Sequence, residues 1–171
     1  MALLTILKAP DKRLKQKSVA VPRVDDGVRQ LMDDMLETMY AAPGIGLAAP
    51  QVGVLQRVIV VDVTWSSEEK VKRPFFLANP EIVATEGEIT WEEGCLSVPE
   101  NVGDVVRAAR VKVHAWDRQG QEVTIDAGGL LAVCLQHEID HLNGVLFIDH
   151  LSRLKREIIL KKLRRMQAEE S

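Results

Sequence analysis

Leu130-Leu131-Ala132-Val133-Cys134-Leu135-Gln136-His137-Glu138-Ile139-Asp140-His141 is an apolar run that passes without a break into polar and ionisable residues. Its first half is apolar on nearly every side, which marks a buried central helix rather than a surface one. Histidines four apart on a helix are turned ~40° from each other and stand one turn apart. Both rings can therefore reach one ion, at nitrogen–metal distances of ~2.0–2.1 Å. Glu138 points to the flank, where it can touch water on that ion without ligating it. Two histidines and a glutamate are costly to bury without partners, so a metal site accounts for them better than a solvated face does. The pattern implies metal-dependent hydrolysis of an amide-like bond.

Outward from this helix, expected at about 129–142, Asp126 is a candidate cap and Asn143-Gly144 a stop. Upstream, Val111-Lys112-Val113-His114-Ala115-Trp116 alternates strictly and reads as a half-buried strand. Asp117-Arg118-Gln119-Gly120 turns it into Gln121–Ile125, giving a hairpin. Val54–Val63 reads as a buried strand. Phe75-Phe76-Leu77 and Glu81-Ile82-Val83 read as two short strands around Asn79-Pro80. Near the N-terminus, Val28, Leu31, Met32, Met35, Leu36, Met39 and Tyr40 form the stripe of an amphipathic helix at about 26–41. Asp25 or Asp26 can cap it and Pro43-Gly44 ends it. A last helix is expected at about 152–168. It carries seven Lys or Arg residues, and a solvated amphipathic helix packed on the body is the plainer account of them. The expected class is α+β, with mixed or antiparallel sheets packed around the buried helix. Residues 1–171 are expected to form one domain.

Bulk composition agrees. The chain of 171 residues is long enough for a real core, and 46% hydrophobic with 27% charged residues is ordinary for a soluble globular protein. A net charge of −3 argues against generic nucleic-acid binding, DNA included. Two cysteines, Cys95 and Cys134, imply no disulfide framework and fit a reducing, cytoplasmic compartment. No run approaches the ~18 apolar residues of a membrane span.

Two histidines leave a catalytic site one protein ligand short. In the proteases that extend the motif with a Gly and a third His, that His falls where this chain has Phe147. Glu157, the counterpart of a later-helix glutamate, lies among Arg153, Lys155, Arg156 and Lys161 and is expected to serve i,i+4 pairing. Cys95 remains, in Glu92-Glu93-Gly94-Cys95-Leu96-Ser97-Val98-Pro99. A lone cysteine is usually a small buried hydrophobe, and Cys134 fits that description. Cys95 instead sits in an irregular Gly/Ser/Pro segment beside two acids, and it is assigned as a thiolate ligand. Sulfur with two neutral imidazoles suits Zn²⁺ or Fe²⁺.

A third constellation is Gly44-Ile45-Gly46-Leu47-Ala48-Ala49-Pro50-Gln51. Gly44, Gly46 and Ala49 match a dinucleotide fingerprint formally, but a helix precedes them and a proline follows, so a nucleotide role is rejected. A loop whose bare backbone lies against an extended ligand is the better account. Gln51 is then either an amide satisfying the turn or a donor aimed at a reacting carbonyl.

Together and in this order, Gly44–Gln51, Glu93–Ser97 and Gln136–Leu142 resemble the peptide deformylase family over essentially the whole chain. That resemblance implies removal of the formyl group from the N-formylmethionine of nascent bacterial chains. It implies that Cys95, His137 and His141 hold one divalent ion, Fe²⁺ natively, with Zn²⁺, Ni²⁺ or Co²⁺ as substitutes. It also implies Glu138 as general acid/base, Gln51 and the Leu96 backbone N–H as oxyanion donors, and the Gly46 backbone as a strand-like partner of the peptide. Glu93 is expected to orient His137, or else to be a surface carboxylate. Ile45, Leu130, Val133 and Cys134, with the His137 ring, are candidates for a methionine pocket, or for plain core. Contact with the ribosome through the basic C-terminal helix is a further expectation. Glu100–Val106 lacks the arginine or aromatic common there in relatives, which leaves contacts beyond methionine open. A metallopeptidase on short peptides and a non-catalytic metal module are the competing functions.

Overall fold

The computed structural model describes residues 2–68 and 70–170. The order of regular elements is α1 (Asp26–Ala41), β1 (Gly46–Ala48), β2 (Val58–Val61), β3 (Phe75–Glu86), β4 (Ile89–Cys95), β5 (Val98–Arg107), β6 (Arg110–Trp116), β7 (Glu122–Gly128), α2 (Gly129–Leu142) and α3 (Arg153–Glu170). Short 3-10 turns occupy Lys12–Lys15, Ala49–Val52 and Phe147–His150. Among the described residues, five strands form one antiparallel sheet in the order β1-β2-β3-β6-β7, and β4 pairs with β5 as a separate ribbon. The class is α+β, as the sequence suggests.

At its β1–β2 end the five-stranded sheet is covered on both faces, and β2 shows how. Val58 and Val60 point to the side of α1 and pack with Met32, Met35 and Met39. Ile59 and Val61 point the opposite way and pack with Ala132, Cys134, Leu135, Ile139 and Leu142 of α2. Alternate residues of a strand face opposite sides, so burial on both sides requires an unbroken apolar run even in an antiparallel sheet. The ribbon β4–β5 lies on the far side of α2. There Val98 and Val105 share a third cluster with Leu14, Phe147, Ile148 and two α3 residues, Ile159 and Leu163. The helix that carries the histidines is thus wedged between a sheet and a ribbon.

Local signals set several boundaries. Asp25 accepts the Val28 N–H at 2.9 Å and caps α1. Asn143 ends α2, and Gly144 follows with φ +74°, a conformation that favours glycine. The β6–β7 turn is closed by Asp117 Oδ1, which accepts from Gln119 N and Gln121 N at 2.9 and 3.0 Å.

Other expectations are corrected. Asp126 does not cap α2: the N-cap is Gly128, with no side-chain bond, and Asp126 lies in β7 bonded to Arg110 at 3.0 Å. The strand expected at Val54–Val63 shortens to Val58–Val61, because Gly53 adopts φ +84° and closes a turn onto Pro50. The two strands expected around Asn79-Pro80 are one strand, β3, with register shifts between Ala78 and Glu81 and between Ile82 and Ala84. The bulge accommodates a proline that cannot donate to a ladder. Asn79 stabilises it through paired side-chain bonds to Val21 N and O, both 2.9 Å.

The expected irregular segment around Cys95 is a β-hairpin: Cys95 ends β4 and β5 starts at Val98. The expected glycine loop is likewise ordered, as edge strand β1 and the 3-10 turn holding Gln51. Glu157 makes no ion pair among the described residues. No helix among them is long and apolar enough to cross a membrane.

Candidate active site

His137 and His141 stand on the inward face of α2, one turn apart and buried. Their rings meet edge to face with centroids 4.9 Å apart, and their Nε2 atoms are 3.2 Å from each other. Cys95 reaches the same point from the end of β4, its Sγ 3.3 Å from His141 Nε2. One ligand atom from each of Cys95, His137 and His141 lies within 4.8 Å of the others. Three soft or borderline donors converge on one spot in a low-dielectric interior. This donor set suits a transition ion such as Zn²⁺ or Fe²⁺, and it is the arrangement such an ion requires. The sulfur also receives the Ser97 N–H at 3.4 Å and the Gln51 amide at 3.5 Å.

The orientation of His137 is fixed from behind. Its Nδ1–H donates to Glu93 Oε1 at 2.9 Å, which leaves Nε2 with its lone pair facing the centre. Glu93 is only 5% exposed, so it is not a surface carboxylate. Arg107 grips it through two bonds of 2.7 and 2.8 Å and reaches Asp140 at 2.6 Å with its third nitrogen. Burial alone would raise the Glu93 carboxyl, but the Arg107 guanidinium and the His137 ring outweigh it and hold the group at about 2. His150 completes the chain with a 2.8 Å bond to Asp140. Phe147, which stands where some zinc proteases place a ligand, stacks on the His137 ring instead, with centroids 6.3 Å apart.

Glu138 is 4% exposed, and its Oε1 has no hydrogen-bond partner among the described residues. Burial lifts its carboxyl to about 7, a range in which one group can both take and return a proton. It faces β1 so closely that a Cβ on Gly46 would come within 2.5 Å of Glu138 Oε2 and 2.8 Å of Cys134 Sγ. Only glycine lets this strand lie there. Gln51 is 1% exposed: its Oε1 accepts the Ala48 N–H at 2.9 Å while its amide donates to Ser97 Oγ at 3.0 Å. The oxygen satisfies the turn, and the amide is left aimed at the Cys95 end of the cleft.

Glu138, Gln51, Cys95 and His137 open onto one cleft of about 700 Å³. Ile45, Gly46, Gln51, Glu93, Cys95, Leu96, Leu130, Val133, Cys134, His137 and Glu138 all line it, so the structure gathers the residues singled out by sequence. His141 lies beneath them. The sequence did not point to Arg107 or Ser97. Arg107 follows Val105-Val106 in a segment whose sequence names no partner for it, and only its burial reveals the link to Glu93.

The polypeptide deformylase family model matches residues 3–157. A peptide deformylase of Phenylobacterium zucineum is 58% identical over 166 residues, covering 96% of this chain and 97% of the relative. One of Alkalilimnicola ehrlichii is 54% identical over 166 residues, covering 97% and 92%. The crystal structure of peptide deformylase from Ehrlichia chaffeensis superposes with a TM-score of 0.93 at 42% identity, covering 98% of both chains. Its complex with actinonin gives 0.92 at 45%, covering 97% and 98%. With the Cys–His–His centre, the glycine edge strand and the Gln51 turn set around one cleft, this chain belongs to the polypeptide deformylase family.

Proposed function

We propose that this cleft hydrolyses the formyl group from the N-formylmethionine of nascent peptides, releasing formate. The carrying observation is the meeting of Cys95, His137 and His141 at one point, with a buried Glu138 carboxylate beside them, one of whose oxygens has no hydrogen-bond partner among the described residues. A metallopeptidase would share the helix motif but would need neither the Gln51 turn nor a sulfur ligand.

Cys95, His137 and His141 would hold a single divalent ion, Fe²⁺ by family resemblance, with Zn²⁺, Ni²⁺ or Co²⁺ as replacements. Such an ion supplies Lewis acidity, lowering the pKa of water to ~7 in well-studied sites. Glu138 takes the proton from the attacking water and later gives it to the departing amine. The Gln51 amide and the Leu96 N–H meet the negative charge that develops on the formyl oxygen, and loss of one such donor costs ~2.7–4 kcal/mol. Glu93 keeps His137 in its ligating tautomer. The free edge of β1 at Gly46 pairs with the peptide backbone as an added strand. Ile45, Leu130, Val133 and Cys134 form the apolar wall for methionine, a role supported by their shared position in the cleft.

Anaerobic incubation of Fe²⁺-loaded protein with formyl-Met-Ala is expected to release formate and leave the peptide bond intact. Peptide-bond cleavage without formate would overturn the assignment. Filling the pocket with Val133→Trp is expected to lower kcat/KM for formyl-Met substrates at least ten-fold while sparing smaller first residues, because overpacking a close-fitted wall leaves no room for the longer side chain. An unchanged preference would remove Val133 from the pocket.

Residues 1–171 are proposed to act as one catalytic domain, a reading supported by the cluster that ties Ala9 and Leu14 to α3. A cytoplasmic setting is proposed from the substrate and the two free cysteines. Ribosome contact through α3 is proposed from its basic composition and its exposed Leu154 and Ile158. Cosedimentation with ribosomes that survives truncation before Ser152 would refute that contact.

A further inference from the structure

The cleft wall at residues 44–46 is gripped from behind by groups that never touch the cleft. β1 is the edge strand of its sheet, so the two residues before it lack a full ladder partner. The chain leaving β2 supplies the missing bonds. Asp62 N–H donates to the Ile45 carbonyl at 2.8 Å, and the Trp65 indole N–H donates to the Gly44 carbonyl at 3.0 Å. Gly44 N–H is held in turn by the Met39 carbonyl at 2.7 Å.

The segment bearing Trp65 is itself organised around the Asp62 carboxylate, which is fully buried. It accepts from Tyr40 Oη at 2.5 Å, Thr64 N at 3.0 Å, Thr64 Oγ at 2.9 Å, Trp65 N at 3.3 Å and Arg73 N at 3.0 Å. The Tyr40 ring meets the Trp65 ring edge to face at 5.1 Å, and Lys72 Nζ lies 4.4 Å over the Tyr40 ring. Ala42, Pro43, Gly44, Ile45 and Gly46 line the cleft, whereas Trp65, Tyr40 and Asp62 do not.

We propose that Trp65, set by the Asp62 carboxylate and the Tyr40 ring, is a positioning residue for substrate: its indole N–H locks the Gly44 carbonyl so that the chain entering β1 at Gly46 presents a preformed edge to the formyl peptide. Glycines at 44 and 46 give this edge little rigidity of its own. An edge that must be ordered during binding costs affinity, and holding it beforehand removes that cost. The effect falls on substrate binding rather than on the reacting atoms, which lie on α2, β4 and the Gln51 turn. This inference rests on the proposed pairing of the peptide with β1.

Trp65→Phe keeps a ring against Tyr40 and removes only the donor. For formyl-Met-Ala-Ser its KM is expected to rise ~3–10-fold, the effect of losing one net hydrogen bond, with kcat within two-fold of the parent. Hydrogen exchange of the peptide spanning residues 42–47 is expected to quicken. An unchanged KM with unchanged exchange overturns the proposal. So does a fall in kcat together with a large drop in melting temperature, which would signal a general structural role. Tyr40→Phe, which deletes only the hydroxyl bonded to Asp62, is expected to shift KM in the same direction, and a silent result there also overturns the proposal. A parent enzyme that releases no formate would instead indict the assigned reaction, so the two failures are distinguishable.

Discussion

Glu138→Ala is expected to lower kcat for formyl-Met-Ala by ~10²–10⁴-fold, the range for a positioned general acid–base, with metal content unchanged. The carboxylate sits between two of the three donors in sequence, yet it is not one of the converging atoms. It is buried, one of its oxygens lacks a partner, and burial lifts it to about 7. A carboxylate kept in so unfavourable a place contributes nothing to folding that an apolar side chain would not supply better. Melting temperature should therefore hold steady or rise in the variant. Glu138→Gln tests the proton itself, since it preserves shape and polarity but cannot accept and return a proton in the same way. Metal analysis on both variants decides the matter: activity lost in step with metal would make Glu138 a part of the centre's assembly, and the acid–base role would fall.

The second large effect is expected from Cys95→Ala. Of the three donors only Cys95 lies outside α2, so removing it leaves the two imidazoles without their sulfur partner. Metal affinity should drop by more than the ~10–100-fold typical of changes in outer supporting groups, and formate release should drop with it. The loss is not expected to come from unfolding, because Cys95 is only partly buried at the rim of its apolar cluster. Cys95→Ser keeps an acceptor for the Ser97 N–H and the Gln51 amide but offers a harder, weaker ligand. It should therefore be stable and still metal-poor. Full occupancy and normal turnover in the alanine variant would dismiss the sulfur ligand and with it the three-donor centre.

Much of this protein is legible along the chain because it depends on local spacing. The limits of α1 follow from Asp25 and the apolar stripe that ends at Tyr40. The β6–β7 hairpin follows from strict alternation around Asp117–Gly120, and α2 from its apolar run and Asn143-Gly144. The histidine pair needs only the pitch of a helix to face one point. The local pattern misleads where a neighbour overrides it. Pro80 looks like a strand breaker, but the Asn79 bulge carries β3 through it. Gly94, Ser97 and Pro99 around Cys95 read as irregular chain, yet pairing of β4 with Val98–Arg107 makes a ribbon.

The sequence by itself determined the class of chemistry, since His137, Glu138 and His141 occupy one helix whose geometry brings them together wherever that helix sits. It also determined that this helix is buried, because its apolar run leaves no face for water. Only the tertiary structure decided that Cys95 meets those histidines, that Glu93 is locked between His137 and Arg107, and that Trp65 braces Gly44. Those contacts join segments far apart in the chain, and their distances are set by the register of β4 with β5 and of β1 with β2 and by the packing of both sheets on α2. No periodicity within a single segment encodes such distances.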